Sequence, residues 1–166
     1  MLYQIIKTID ALVGIEEAKA HCDIPCGIYD PIVAQIAALT VVRMIDLMTE
    51  LESSSGDAKA NYHNSMTRYI VIKEEHAEKV KHEVRVIFGD YIKAPQIEKF
   101  PELPGLVHQI FQLGSKARQT ADRENAVQLV ESLNRFAEIF WATKNITTKR
   151  AKAPYKPELE VVYPNL

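Results

Sequence analysis

Four stretches of about twenty residues carry apolar side chains at spacings of three and four, and that periodicity restricts the chain to packed amphipathic helices. The first stretch runs from about Pro31 to Leu51. Ile32, Ile36, Leu39, Val42 and Ile45 mark its apolar side, and Arg43 lies at the edge. Asp30 and Pro31 make a good helix start, with Asp as N-cap and Pro in the first turn. The second stretch, about Ser65 to Phe88, is marked by Ile70, Ile72, Ala77, Val80, Val84 and Ile87, and Gly89 stands where a helix would stop. The third, about Glu102 to Thr120, carries Leu103, Leu106, Val107, Ile110 and Leu113, with Pro104 tolerable in its first turn. The fourth, about Arg123 to Lys144, carries Val127, Leu129, Val130, Leu133, Phe136, Ile139, Phe140 and Trp141. Helices of this length are about 30 Å long. Short and medium connections such as Glu52–Asn61 favour antiparallel neighbours, so the pattern predicts an all-α, up-down antiparallel four-helix bundle over residues 31–144.

The 166 residues, 47% of them hydrophobic, suffice for one core without a disulfide scaffold. A net charge of −2 carries no basic excess for nucleic acid, and the apolar runs are short for a membrane span, so neither partner is expected. Residues 1–20 have helical apolar spacing but lack the basic start of a secretory signal, and a cytoplasmic protein is expected. Ala18-Lys19-Ala20 matches a small-x-small protease pattern, which leaves two readings, a permanent first helix or a removable leader. The segment from Gly89 to Gly105 is proline-rich and loop-like. Residues 145–166 hold a basic cluster (Lys149, Arg150, Lys152) and then prolines. This tail is expected to be extended or disordered, or to pack on a neighbouring subunit, and Glu160–Tyr163 could form a short strand.

The chemistry concentrates in the loop 21–31, punctuated by Pro25, Gly27 and Pro31. His21, Cys22 and Cys26 fall within six residues, and they are joined by no other cysteine in the chain. Thiolate and imidazole bind late first-row transition metals. A Cys22–Cys26 disulfide, or two small buried cysteines, would account for the same residues. If the chain is cut after Ala20, His21 gains a free α-amine. Amine, backbone amide and two thiolates can then surround a metal in a plane, with the imidazole above it. That arrangement suits Ni(II) or Cu(II), whereas zinc prefers a tetrahedron. His63, His76, His82 and His108 are scattered and read as surface or packing residues. Glu74, Glu75 and Glu78 read as a solvated face, Met44, Met48 and Met66 as core, and Tyr62 and Tyr69 as packing residues.

The run His21-Cys22-Asp23-Ile24-Pro25-Cys26-Gly27-Ile28-Tyr29-Asp30-Pro31 resembles the metal-binding hook of the nickel superoxide dismutases. Thr67-Arg68, Val71–Glu74, Asp90–Lys93, Glu98–Leu103 and Ile139–Trp141 agree with that family in order and approximate spacing. The resemblance implies a nickel ion cycling between Ni(II) and Ni(III), converting two superoxide anions and two protons into dioxygen and hydrogen peroxide. It implies that residues 1–20 are a leader removed by a processing protease cutting after Ala20, that residues 21–30 form the hook, and that the bundle assembles as a homohexamer. His21 would give the amine and an axial imidazole, Cys22 a thiolate and its amide, and Cys26 the second thiolate. Pro25 would set the turn of the hook. Tyr29 and Tyr91 would screen the open face of the metal, and Asp23 and Lys93 would lie near the anion's approach. Thiolates and an anionic amide donate electron density that stabilises Ni(III), and hydrogen bonds to the ligands tune the site. One departure stands out. Family members hold the axial imidazole with a glutamate paired to an arginine, and the matching positions here are Ala37 and His76. Two other readings of the chain are a non-enzymatic nickel or copper carrier using the same hook, and a helical interaction module with a disulfide.

Overall fold

The computed structural model describes residues 27–54 and 59–166. Four long helices form the expected bundle: α1 (Ile32–Ser53), α2 (Lys59–Val86), α4 (Leu103–Gln119) and α5 (Arg123–Thr143). A short helix, α3 (Ala94–Lys99), lies between α2 and α4. Successive long helices are neighbours, and α5 closes the ring onto α1. Cross-links show the antiparallel register of that last pair. Arg123 Nε meets Asp46 Oδ1 at 2.7 Å near one end, and Gln35 Nε2 donates to Asn134 Oδ1 at 3.1 Å farther along.

Local chemistry sets the helix ends. The Asp30 carboxylate accepts the Ile32 N–H at 2.8 Å, and Pro31 is already αR, so the pair starts α1 as expected. Asp122 caps α5 by accepting the Asn125 N–H at 3.1 Å. It also takes a 2.9 Å ion pair from Lys116, and the hydrogen bond from that ammonium holds its carboxyl below the usual aspartate range. At its other end α5 closes in a Schellman motif. Asn145 sits at φ 58, its N–H reaches Ala142 O, and the Ile146 N–H reaches Trp141 O.

The core holds Leu39, Ile45, Leu103, Ile110, Leu129, Leu133, Phe136, Ile139 and Phe140, each at most 2% exposed. Among the described residues α1 alone is long and apolar enough to cross a membrane. In this fold that hydropathy is spent on the bundle. The buried side of α1 includes Ala34, Ala38, Leu39, Val42 and Ile45. Its stripe is rotated from the expected one, because Ile36 is 46% exposed while the small Ala34, Ala37 and Ala38 face inward. Alanines let neighbouring helices approach closely, and Gly114 does the same on α4. A Cβ there would stand 3.1 Å from Lys81 Cγ.

Three elements differ from the sequence-based expectation. Helix α2 begins at Lys59 rather than near Ser65. Gly89 does not end the helical path. Residues Ile87–Tyr91 continue as a π turn, with the Ile92 N–H bonded to Ile87 O at 3.2 Å. Within the loop-like segment, α3 forms with Pro95 in its first turn, and Gln96 Oε1 accepts the Lys93 N–H at 3.1 Å.

The tail is not extended: residues 148–164 form an antiparallel hairpin of β1 (Thr148–Lys152) and β2 (Glu160–Pro164), in which the strand expected at Glu160–Tyr163 is present and pairs with the basic segment. The hairpin folds onto α5. Val161 and Val162 are buried, Asn134 Nδ2 donates to Glu160 O at 2.9 Å, and Arg150 bridges Glu131 and Glu138 at 2.8 Å each. Gln35, Asn134 and Glu160 thus link α1, α5 and β2 through buried amides.

Lys73 is 3% exposed, and its ammonium donates to Ala117 O, Arg118 O and Thr120 O at 2.7, 2.7 and 3.0 Å. It caps the C-terminus of α4 from α2, where the last carbonyls lack partners and the helix dipole is negative. Burial lowers its pKa below the ordinary lysine value, against the attraction of Glu74. The bonds to three carbonyls favour the charged form all the same. Lys73→Met, which keeps the length of the chain but no donor, should destabilise the protein by about 3 kcal/mol in urea unfolding. A loss below about 0.5 kcal/mol would contradict this account of the cap.

Candidate metal centre

His21, Cys22, Asp23 and Cys26 lie outside the described residues, as do residues 1–20. The structure describes the chain from Gly27, where the loop enters the bundle. Gly27 sits at φ 72, a left-handed conformation that residues with a Cβ disfavour. Ile28, 77% exposed, and the half-buried Tyr29 follow, and Asp30 then starts α1.

The antiparallel topology brings the start of α1 to the ends of α2 and α5. There the structure unites two of the expected site residues. The Tyr29 and Tyr91 rings lie 5.5 Å apart, tilted by 41°. Tyr91 arrives by way of the π turn, which inserts one residue into the helical path and re-aims the chain after it. Its ring packs 5.1 Å from Phe140, which in turn meets Trp141 edge-on at 5.1 Å. Beside Tyr29 a cleft of about 170 Å³ opens between the start of α1 and the end of α2, lined by Val33, Glu83 and Ile87 among others.

Three residues that the sequence did not single out as site residues hold Tyr91. Thr143 Oγ1 lies 2.7 Å from the Tyr91 phenol oxygen, and the Thr143 hydroxyl donates to Phe140 O at 2.6 Å. Lys144 Nζ stands over the Tyr91 and Phe140 rings at 4.9 and 5.3 Å. By sequence Phe140 belongs to the core stripe, and Thr143 and Lys144 to the end of a helix. Only the fold shows that this end faces Tyr91.

Lys93 is exposed at the N-terminus of α3, and its ammonium donates to Gly89 O at 3.3 Å. It forms no ion pair among the described residues, so its charge is not neutralised by a carboxylate there. Ala37 is 1% exposed on α1. His76, half-buried on α2, donates Nδ1–H to Ile72 O at 2.9 Å, which leaves Nε2 as its remaining polar atom.

No group of three His, Cys, Asp or Glu side chains among the described residues could hold a metal. The donor set that could do so is the pair of cysteines with His21, immediately ahead of the segment that packs on Tyr91. Two soft thiolates with nitrogen donors fit nickel and disfavour the hard, oxygen-seeking cations.

The chain is similar to known proteins over most of its length. The family model for nickel-containing superoxide dismutase matches residues 16–144. The superoxide dismutase [Ni] of Streptomyces coelicolor is 38% identical over 126 residues, covering 76% of this chain and 89% of that one. Its counterpart from Streptomyces seoulensis is 35% identical over 128 residues, covering 77% and 91%. A native nickel superoxide dismutase structure superposes with a TM-score of 0.66 at 37% identity, covering 75% of this chain and 99% of that one. An apo structure of nickel superoxide dismutase gives 0.63 at 34%, covering 71% and 98%. The chain belongs to the nickel-containing superoxide dismutase family.

Proposed function

We infer that this enzyme is a nickel-dependent superoxide dismutase, and that His21, Cys22 and Cys26 hold the metal. The observation that carries the site reading is the packing of Tyr29, three residues after Cys26, against Tyr91 at the end of the bundle. When bound, nickel supplies a one-electron couple that takes an electron from one superoxide and returns one to another. The carrier reading is not favoured, since the relatives matched over most of the chain are named as dismutases.

The chain's own residues supply the surroundings of that chemistry. Tyr29, Tyr91 and Phe140 form an aromatic wall that limits access of water and larger solutes. The chain carries a net charge of −2, so a superoxide anion needs local positive potential to approach quickly. Lys93, free of any described carboxylate, is assigned that role, and Asp23 is assigned a place near the same approach. We further propose that the chain assembles as a homohexamer and acts in the cytoplasm. The exposed apolar residues Ile28, Val33 and Ile36 at the start of α1 support burial against another copy. The need to keep two thiols reduced supports the compartment.

Activity on this reading requires cleavage between Ala20 and His21. The His21 nitrogen is a peptide amide in the longer chain, with its lone pair delocalised into the carbonyl. After cleavage it is an α-amine with a pKa of about 8, readily deprotonated by a metal.

Three measurements test these assignments. Cys22→Ser and Cys26→Ser should each abolish superoxide decay, because an alcohol is a harder and far weaker acid than a thiol. A variant that stays active with nickel bound contradicts the ligand set. Lys93→Ala should lower the rate and flatten its dependence on ionic strength, whereas an unchanged salt dependence means that Lys93 does not steer the anion. Intact-mass analysis of active, nickel-loaded protein should show a chain beginning at His21. Full activity in a chain that still begins at Met1 rules out both the processing and the amine ligand.

A further inference from the structure

We propose that Thr143 and Lys144, at the C-terminal end of α5, are positioning residues that hold Tyr91 and commit its phenol to accepting hydrogen bonds at the metal site. The proposal rests on the reading of Tyr91 as a residue that screens the metal. Its evidence is the polarity of a short hydrogen-bond chain.

The Thr143 hydroxyl has one proton. Its oxygen lies 2.6 Å from Phe140 O, and a carbonyl can only accept, so that proton is spent there. Thr143 Oγ1 is therefore the acceptor in its 2.7 Å contact with Tyr91, and the phenol proton lies on that bond. The Tyr91 oxygen keeps only lone pairs for any other neighbour. The ring is restrained as well. Tyr29 lies 5.5 Å away, Phe140 lies 5.1 Å away, and the Lys144 ammonium stands over both Tyr91 and Phe140. Turning the phenol to donate elsewhere would break the bond to Thr143, and swinging the ring would lose the cation contact.

The consequence is a division of labour. A superoxide anion, which has only lone pairs, gains no hydrogen bond from Tyr91 while Thr143 holds the proton. Species that carry O–H groups, such as water or hydrogen peroxide, can donate to it. Attraction of the anion falls to ammonium groups, among which Lys144 stands beside the ring itself. Thr143 and Lys144 come from the turn that the Schellman motif closes, so their placement is set by how α5 ends.

The test compares Thr143→Val, Thr143→Ser and Tyr91→Phe in the processed protein, with and without nickel. The first readout is the resonance-Raman difference spectrum of wild type minus Tyr91→Phe, in which the tyrosine doublet reports whether the phenol donates or accepts. The wild type should show a donor signature even without metal. Thr143→Val should lose it, measured against Tyr91→Phe/Thr143→Val, and Thr143→Ser should restore it. The second readout is the superoxide-decay rate. Thr143→Val should lower it by about two- to ten-fold, the range expected for one hydrogen bond, and Thr143→Ser should recover most of that loss. In the Tyr91→Phe background Thr143→Val should cost nothing further, because the residue acts through the phenol. A donor signature that survives Thr143→Val overturns the assigned polarity. An equal loss with and without the phenol overturns the positioning role. A full rate in Tyr91→Phe instead refutes the underlying reading of Tyr91 at the site, and the metal-free spectrum still decides the polarity.

Discussion

Burial of one apolar side from each of four antiparallel helices determines where every other feature of this protein lies. Apolar surface withdrawn from water is the main favourable term in folding, and α1, α2, α4 and α5 satisfy it by packing in a ring. That ring fixes which helix ends meet. The start of α1, the end of α2 and the end of α5 share one end of the bundle, and Tyr29, Tyr91 and Phe140 stack there. Gly27, the residue that follows Cys26 in the sequence, lies at this end too. Polar contacts then select the register. Lys73 ties α2 to the last carbonyls of α4, and Gln35 with Asn134 ties α1 to α5 and the hairpin.

The long helices were legible because their apolar spacing is strongly periodic and their starts carry recognisable chemistry, as at Asp30-Pro31 and Asp122. What could not be read followed from tertiary contact. Gly89 is a plausible helix terminator by propensity, yet a π turn carries the chain through it to Tyr91. Ile36 fits the apolar stripe by spacing but stands outward, because three nearby alanines take the inner side. Lys73 is a long charged side chain that would ordinarily be placed at the surface, and only the neighbouring helix end explains its burial. The proposed metal ligands show the opposite case. His21, Cys22 and Cys26 were the clearest functional signal in the sequence, and Tyr29 and Tyr91, sixty-two positions apart in it, are in ring contact. Thr143 and Lys144 carried no motif of their own, since their significance depends on which residue faces the end of α5.

The family match ends at residue 144, and the chain continues into a hairpin that covers part of α5. Asn145 makes that continuation possible. Its left-handed conformation ends the helix and turns the backbone toward β1, and the buried Val161 and Val162 hold the hairpin in place. The replacement of a glutamate–arginine pair by Ala37 and His76 is a second departure from familiar members. His76 directs Nδ1–H to its own helix backbone, and Ala37 adds to the small-residue packing of α1. Neither change places an unpaired charge in the core.

On the proposed reading, a nickel ion held by the His21–Cys26 segment carries out the dismutation. The most direct check measures metal content by elemental analysis and superoxide decay on one sample of the processed protein. The account predicts about one nickel per chain, as three protein residues supply one set of donors, with a decay rate that rises in proportion to nickel occupancy. Rapid decay in protein without nickel, or full nickel occupancy without any catalysed decay, would contradict it.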